Sequence, residues 1–116
     1  MDGPRLASAM PPSWRPWPEG HRLTAFQAAV VDAVERLTPG ELVTYADIAD
    51  EIGRPGSAQA VANVLRAAVD VPWWRVVPSD GRLYRSHRAR QAPLLRAEGH
   101  HVDDEGRVKH ERARHR

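Results

Sequence analysis

The sequence predicts one small, mainly α-helical domain with a short β wing, and three observations support this. Apolar residues recur at helical spacing between residues 26 and 37. Two further short amphipathic segments flank a turn at Pro55-Gly56. After them come two extended segments on either side of a turn at residues 78–81. With 116 residues, the chain has room for one domain of this kind.

Capping residues mark where the first two helices begin. Thr24 and Gln27 form a capping box, and Thr38-Pro39-Gly40 ends the first helix. Thr44 caps the second helix, with Asp47 at its third position. Each helix carries an apolar stripe that faces a core. The first stripe consists of Phe26, Ala29, Val30, Ala33, Val34 and Leu37, and the second of Ile48, Ala49 and Ile52.

A third helix is predicted to begin after Ser57, which caps it. One of its faces is apolar, whereas the other is polar or small. Two short helices on either side of a tight turn are typical of a helix-turn-helix motif, and the small residues allow close approach to a DNA groove. The apolar face comprises Val61, Val64, Leu65 and Ala68, and the outward face comprises Gln59, Ala62, Asn63 and Arg66.

The following segment predicts a wing and the end of the domain. Residues 74–77 and 82–84 are predicted as two strands joined by the turn, which gives a winged helix-turn-helix. Residues 92–98 are predicted as a last helix with Pro93 in its first turn, because proline is tolerated there. Residues 102–108 are predicted to form a terminal hairpin.

Both ends of the chain differ in composition from its centre. Residues 1–20 contain five prolines and little periodic apolar content, so they are predicted to form a flexible tail. Trp14 and Trp17 are expected to pack the end of that tail onto the domain, which spans residues 21–108. Residues 109–116 are predicted to be a basic tail that frays.

The composition excludes thiol chemistry and predicts no cofactor. The 116 residues contain no cysteine, so they supply no disulfide, thiolate metal ligand or thiol nucleophile. The histidines, including the adjacent His100 and His101, lack the fixed spacing of metal ligands, and no metal site is expected. The longest apolar runs fall short of the roughly 20 residues that cross a bilayer. We therefore expect a cytoplasmic protein without a membrane partner.

A basic segment follows the turn at residues 78–81. Between residues 81 and 97 there are five arginines and no acidic residue, although the formal net charge of the chain is only +2. Guanidinium groups suit contacts with phosphates, so this segment is a candidate for DNA contact; the alternative is a solvated basic face. Its arginines are Arg82, Arg85, Arg88, Arg90 and Arg96.

The stretch from residue 39 to residue 81 reads PGELVTYADIADEIGRPGSAQAVANVLRAAVDVPWWRVVPSDG. It joins a VTYADIA helix start, a small-residue recognition helix, a PxxRVV strand and an SDG turn. In this order and spacing, it resembles the DNA-binding domain of the O6-alkylguanine-DNA alkyltransferases. With LLRAEG at residues 94–99, the resemblance covers residues 23–102. It implies the winged helix-turn-helix of that domain.

The sequence departs from this family at the nucleophile. The enzymes carry Pro-Cys-His-Arg, whereas this chain carries Pro72-Trp73-Trp74-Arg75. Trp73 stands at the position of the cysteine, and Trp74 at that of the histidine that helps to deprotonate it. An indole nitrogen is neither a useful nucleophile nor a base near neutral pH. We therefore expect that the protein is not an enzyme.

This pattern is similar to that of the alkyltransferase-like proteins, which bind alkylated guanine in DNA without removing the alkyl group. The resemblance implies binding in the minor groove, rotation of the damaged nucleotide out of the duplex, and transfer of the lesion to nucleotide-excision repair proteins. The expected partners are double-stranded DNA that contains O6-alkylguanine and those repair proteins. We expect a monomer that associates with the nucleoid when it binds DNA.

The resemblance also assigns the residues of a lesion pocket. Trp73 supplies an aromatic wall beside Pro72. Tyr45 lies where the family uses a tyrosine to crowd the 3′ phosphate of the target nucleotide. In the alkyltransferase-like proteins an arginine past the wing faces the damaged base, and of the three arginines in range we choose Arg85.

The remaining assignments concern DNA contact and structure. Gln59 stands at the position of the arginine that enters the base stack in the family, and glutamine can still fill space there without cation–π stacking. Arg75 is expected to hold its strand to the first helix or the N-terminal region, and Trp74 is also assigned a structural role. The DNA-binding set comprises Thr44, Gln59, Ala62, Asn63, Arg66, Arg82 and Arg88.

The alternative is a winged-helix transcriptional regulator that binds undamaged DNA. Such a protein would carry a recognition helix with several base-reading side chains and a surface for dimerisation. Residues 58–68 offer few such side chains, and no long amphipathic segment is left over, which favours lesion recognition. An alkyltransferase with a different nucleophile is disfavoured, because no thiol or suitably paired histidine is predicted near Trp73.

Overall fold

The structure, a computed structural model, describes residue 17, residues 20–68 and residues 70–109. Most of the two predicted tails lies outside these residues, as does Trp14. None of the described helices is long and apolar enough to cross a membrane. In chain order the elements are α1 (Ala25–Glu35), β1 (Val43–Thr44), α2 (Tyr45–Glu51), α3 (Ala58–Ala67), a 3₁₀ turn (Trp73–Arg75), β2 (Val76–Val77) and α4 (Arg88–Ala97).

Capping boxes start α1 and α2. The Thr24 hydroxyl oxygen accepts a hydrogen bond from the Gln27 backbone N–H at 3.0 Å, and the Gln27 side chain accepts one from the Thr24 N–H at 3.0 Å. Thr44 and Asp47 make the same pair of bonds, each at 2.9 Å. These bonds satisfy N–H groups that the first turn of a helix leaves without an intrahelical partner. Both predicted helix starts are confirmed.

Helices α2 and α3 form the helix-turn-helix and pack against each other and against α1. The turn between them contains Gly53 and Gly56 at φ values of +79° and +88°, a region that residues with side chains rarely adopt. Ser57 is the N-cap residue of α3, but its side chain makes no capping hydrogen bond. Its ψ of 26° departs from the extended backbone that N-cap residues typically adopt, which corrects the predicted cap.

The buried face of α3 is wider than the sequence predicts. Ala62 was expected to point outward, yet it is 3% exposed. Its methyl group is short enough for longer neighbouring side chains to cover it. Gln59, Asn63 and Arg66 are exposed, as expected.

Strands β1 and β2 form a parallel pair. Residues 76–77 therefore pair with β1 and not with residues 82–84, as the predicted hairpin requires. Val43 lies opposite Val76, and Thr44 lies opposite Val77. Trp74 and Arg75, expected to begin a strand, belong instead to one turn of 3₁₀ helix at Trp73–Arg75. All three side chains of that turn are buried, whereas a strand would direct successive side chains to opposite faces. Burial of three consecutive large side chains therefore accounts for the difference.

The segment after the turn at residues 78–81 pairs with the end of the domain. Arg82 forms an antiparallel bridge with Arg107, so the predicted returning strand has a different partner from the one expected. Val102 and Val108 also form an antiparallel bridge, which confirms the terminal hairpin. The small β component thus consists of the parallel pair and these bridges, beside a mainly helical domain.

Helix α4 begins at Arg88, four residues before the predicted start, and Pro93 lies in its interior instead of its first turn. Its first half is held by a buried polar side chain. Gln91 donates from its amide to the carbonyl oxygen of Trp74 at 3.0 Å and to that of Val76 at 3.2 Å. The apolar pattern could not reveal this anchor, since it consists of hydrogen bonds between distant residues.

The half-buried Trp17 packs against the core before α1 begins. Its backbone N–H donates to the carbonyl oxygen of Ala67 at 3.1 Å, and its ring stacks on His21 at 4.6 Å between ring centroids. The predicted packing of this end of the tail is therefore confirmed at Trp17.

Candidate nucleic-acid interface

Five aromatic rings connect the helix-turn-helix to the 3₁₀ turn, and we call them the aromatic cluster. The first pair is stacked, with 5.7 Å between the ring centroids of Tyr45 and Tyr84. The other pairs meet edge to face, a favoured geometry for aromatic side chains. The cluster consists, in order of contact, of Tyr45, Tyr84, His87, Trp73 and Trp74.

Trp73 lies inside this cluster and is only 1% exposed. Its ring centroid is 6.1 Å from that of Trp74 and 5.9 Å from that of His87. Pro72, predicted beside it, is half-buried. The ring does not present the open wall that the sequence predicts, because the turn at residues 84–87 places side chains over it.

Tyr45 is the first residue of α2, and its ring is largely buried. Burial raises the pKa of its hydroxyl, the neighbouring Tyr84 raises it further, and the charge of Arg66 lowers it to a smaller extent. The net effect is a pKa well above the ordinary tyrosine value, so the hydroxyl stays protonated at neutral pH. Tyr45 can therefore donate a hydrogen bond but brings no charge to the site.

His87 is 2% exposed and touches two rings of the aromatic cluster. Its centroid is 5.9 Å from that of Trp73 and 5.5 Å from that of Tyr84. Burial, together with the nearby positive charge of Arg66, lowers the pKa of His87 to about 4. The imidazole is therefore neutral at pH 7.

Tyr84 and His87 are site residues that sequence reasoning missed. Tyr84 belongs to the predicted wing, and His87 is one of the histidines whose spacing predicts no metal site. Their position on either side of Arg85, the residue chosen to face the lesion, was the available signal. Arg85 itself is exposed at the tip of the turn.

Three exposed side chains of α3 form a hydrogen-bonded row, which we call the α3 row. The Asn63 side-chain oxygen accepts one bond from the Gln59 amide at 3.2 Å and another from the Arg66 guanidinium at 3.3 Å. The Arg66 guanidinium also lies over the Tyr84 ring, 5.8 Å from its centroid. The α3 row thus joins an exposed polar helix face directly to the aromatic cluster.

Two predicted DNA contacts have other roles in this structure. Thr44 is buried, and its hydroxyl accepts the capping bond of α2, so it does not face outward. The Arg88 guanidinium donates to the carbonyl oxygen of Glu105 and lies against Gly106, which fixes the terminal hairpin to the start of α4. Arg82, in contrast, has an exposed side chain.

Arg75 and Trp74 make internal contacts with Glu98. Arg75 forms an ion pair with the Glu98 carboxylate at 2.8 Å and also donates to the carbonyl oxygen of Leu37 at 3.0 Å. The Trp74 indole N–H donates to the same carboxylate at 3.0 Å, and the Gly40 N–H does so at 3.2 Å. This network ties the 3₁₀ turn to the end of α1 and to the end of α4.

The carboxylate of Glu98 is held in its charged form. Burial raises its pKa, but hydrogen bonds from Arg75, Trp74 and Gly40 outweigh this and lower the pKa below the ordinary value. Sequence reasoning did not identify Glu98. Within residues 20–68 and 70–109, no group of three histidine or carboxylate side chains is placed to hold a metal ion.

Comparison with protein families and known sequences gives a consistent result. The family described as "6-O-methylguanine DNA methyltransferase, DNA binding domain" matches residues 25–100. The bifunctional transcriptional activator/DNA repair enzyme Ada of Escherichia coli is 43% identical over 82 residues, which is 66% of this chain and 23% of Ada. A DNA base-flipping protein of Vibrio parahaemolyticus is 31% identical over 88 residues, 72% of this chain and 88% of that protein.

Solved structures agree with the sequence comparison. Atl1 of S. pombe, in complex with damaged DNA that contains O6-carboxymethylguanine, superposes with a TM-score of 0.65 at 30% identity, over 77% of this chain and 91% of Atl1. The OGT protein of Mycobacterium tuberculosis in complex with DNA gives a TM-score of 0.60 at 36% identity, over 66% of this chain and 50% of OGT. The chain spans between about a quarter and a half of the length of the first curated relatives.

Proposed function

Since the chain belongs to the family of the 6-O-methylguanine DNA methyltransferase DNA-binding domain, we propose that it recognises O6-alkylguanine in double-stranded DNA without transferring the alkyl group. One observation carries this proposal. Trp73 replaces the family's nucleophile, and it is joined through His87 and Tyr84 to the exposed row of α3. An aromatic surface can bind an alkylated base but cannot accept its alkyl group.

Helix α3 is the element that we propose to enter the minor groove. Its exposed side chains are uncharged except for Arg66. Gln59 would fill the space left in the base stack, held by its bond to Asn63. Atl1, whose complex contains damaged DNA, and the base-flipping protein of Vibrio support the binding of a damaged base that is rotated out of the duplex.

The rotated base would reach the aromatic cluster at its Tyr84 end. Arg66 and Tyr84 lie where α3 meets the cluster, and Arg85 lies exposed on the same turn as Tyr84. We propose that Arg85 contacts the damaged base and that Trp73, beside Pro72, lies behind it under the His87 ring. Tyr45 would then support the site through its stacking on Tyr84.

The chemistry of the site supports binding without transfer. The chain has no cysteine, and Trp74, in place of the family's histidine, is engaged in a hydrogen bond to Glu98. Removal of the lesion then requires another activity. We propose that the protein acts as a cytoplasmic monomer that passes the bound lesion to nucleotide-excision repair proteins.

A pair of measurements tests this function. Matched duplexes with guanine or O6-methylguanine at one position are titrated with the protein, and the damaged duplex should bind about tenfold more tightly, on the scale of base unstacking. Mass spectrometry after incubation should find protein and lesion both unmodified. The Trp73→Cys variant should also leave the lesion intact, because Trp74 still replaces the base that would activate the thiol.

Two outcomes would contradict the proposal. Equal affinity for the two duplexes would favour a regulator that binds undamaged DNA. Loss of the methyl group from the damaged duplex in the presence of the parent protein would show transfer chemistry through another group.

A further inference from the structure

The turn at residues 84–87 lies between the α3 row and Trp73. Its backbone closes with hydrogen bonds from the His87 and Arg88 N–H groups to the carbonyl oxygen of Tyr84, at 2.9 and 3.0 Å. Arg85 and Ser86, in its middle, are exposed. The two side chains at its ends, Tyr84 and His87, instead point into the aromatic cluster. A short turn with an exposed tip is an element that can shift without unfolding the core.

His87 is the ring that separates Trp73 from the DNA-facing side. The Arg66 guanidinium lies on Tyr84, Tyr84 touches His87, and His87 touches Trp73 at 5.9 Å between centroids. Both His87 and Trp73 are almost completely buried. A base that approaches from α3 therefore meets the imidazole before it meets the indole. An alkyl group can reach Trp73 from that side only if His87 turns aside.

We propose that His87 is a specificity-determining residue, whose ring occupies the space that the O6 substituent of a rotated guanine takes against Trp73 and thereby disfavours large substituents. This rests on the proposed function. A methyl substituent requires only a small displacement of the imidazole, whereas a benzyl substituent requires the whole volume that the imidazole occupies. Because the buried imidazole is neutral at pH 7, no charge is moved when the ring turns aside.

The test compares two lesions in one duplex sequence. The affinity for O6-benzylguanine is divided by the affinity for O6-methylguanine, and His87→Ala should raise this ratio about tenfold, the usual scale for fitting a group into an apolar pocket. His87→Phe, which keeps a ring of similar size, should keep the ratio of the parent. Ser86→Ala, on the exposed part of the same turn, is the matched control and should also leave it unchanged.

The ratio is chosen because loss of folded protein does not alter it. Both affinities are measured on the same preparation, so a smaller folded fraction lowers them by the same factor. If His87→Ala melts below the assay temperature, His87→Asn removes only part of the ring and should give a smaller increase of the same sign.

The outcomes separate this inference from the function on which it rests. If the parent prefers O6-methylguanine over guanine but His87→Ala and His87→Asn leave the benzyl-to-methyl ratio unchanged, the role of His87 is wrong and the proposed function stands. If the parent does not distinguish O6-methylguanine from guanine, both fail together.

Discussion

At the scale of single residues, burial distinguishes two groups of side chains in the site. Exposed side chains can touch DNA, and buried side chains support the exposed ones. Trp73 was expected to line a pocket, but it is enclosed by Trp74 and His87. Thr44 and Ala62 were expected on the DNA-facing surface, and both are buried. The exposed candidates are the side chains of the α3 row with Arg82 and Arg85.

Truncation of Trp73 should therefore act through stability first. Trp73→Ala removes a fully buried indole and should lower the free energy of unfolding by about 3–5 kcal/mol, a large share of what a small domain has. Binding of damaged and undamaged duplexes should fall together. Thermal melts beside the two titrations measure both effects.

The matched control is Trp17→Ala at the edge of the domain. Trp17 is half-buried, so its removal should cost less stability than removal of Trp73. An unchanged melting temperature for Trp73→Ala, with loss of lesion binding alone, would show that the indole lines an open pocket in solution.

At the scale of elements, features that depend on neighbouring residues were predicted from the sequence, whereas features that depend on contacts between distant residues were not. The starts of α1 and α2 follow from capping boxes that involve residues three apart, and both were predicted. The parallel pairing of β1 with β2 joins segments on either side of the helix-turn-helix, and no local pattern encodes it. The early start of α4 likewise depends on Gln91 bonds to the backbone around the 3₁₀ turn.

The candidate site also combines features that the sequence predicts with features that depend on distant contacts. The positions of Trp73 and Gln59 follow from a motif that can be read along the chain, whereas the covering of Trp73 depends on how the turn at residues 84–87 folds back. Spacing places His87 and Tyr84 beside Arg85, but it does not show that they cover Trp73. Glu98 was missed for a similar reason, because its donors lie in two segments far away along the chain, Gly40 in one and Trp74 with Arg75 in the other.

The outer face of α3 gives a prediction at this scale. Gln59→Arg should strengthen binding of O6-methylguanine DNA by about 1–3 kcal/mol, because a guanidinium adds charge and stacking where the rotated base leaves its space. Gln59→Ala should weaken it, since it removes the side chain that fills the stack. Titrations at moderate salt with the damaged duplex measure both changes.

Asn63→Ala is the control that tests whether the effect is specific to Gln59 and is not shared by its neighbour one turn along α3. It removes the shared acceptor of Gln59 and Arg66 while leaving both donors in place. Its effect should be smaller than that of Gln59→Ala. If Gln59→Arg binds no better than the parent, the assignment of Gln59 to the base stack is wrong.

At the scale of the whole molecule, charge is separated between surfaces although the net charge is small. The formal net charge is +2, and the arginines of residues 81–97 are accompanied by no acidic residue. A surface cavity of about 570 Å³ is lined mainly by carboxylates with one arginine, Arg36. Its acidic residues are Glu41, Asp47, Asp50 and Glu51. DNA is expected to avoid this acidic surface and to contact the arginine-rich segment at residues 81–97.

Stability should depend on pH through His87. Burial and Arg66 lower its folded pKa to about 4, below the ordinary value of 6.5, so protonation favours the unfolded state. The full stability is present above pH 6.5 and is lost as the pH falls towards 4. Between pH 7 and pH 5 the loss should be about 1–2 kcal/mol. Urea unfolding at a series of pH values measures it.

The chosen pH range isolates His87 from the buried carboxylate. The pKa of Glu98 is lowered from 4.5, so Glu98 stays ionised above pH 5 and its ion pair with Arg75 persists. His87→Phe should remove most of the pH dependence between pH 7 and pH 5. An equal loss of stability in that variant would assign the dependence to other groups.

The arginine-rich segment at residues 81–97 is expected to hold DNA through phosphate contacts. The Arg82 side chain is exposed, whereas the Arg88 guanidinium donates to the Glu105 carbonyl oxygen, so of these two arginines Arg82 is the one expected to contact a phosphate. For undamaged duplex, Arg82→Ala should make the slope of log affinity against log salt less steep by about 0.9, the value for one lost phosphate contact. Arg36→Ala, on the acidic surface, should leave the slope unchanged. The ratio of damaged to undamaged binding should stay the same in Arg82→Ala, because both complexes lose the same phosphate contact. Titrations of both duplexes at several salt concentrations test this, and a slope that Arg82→Ala leaves unaltered would place the DNA on another surface.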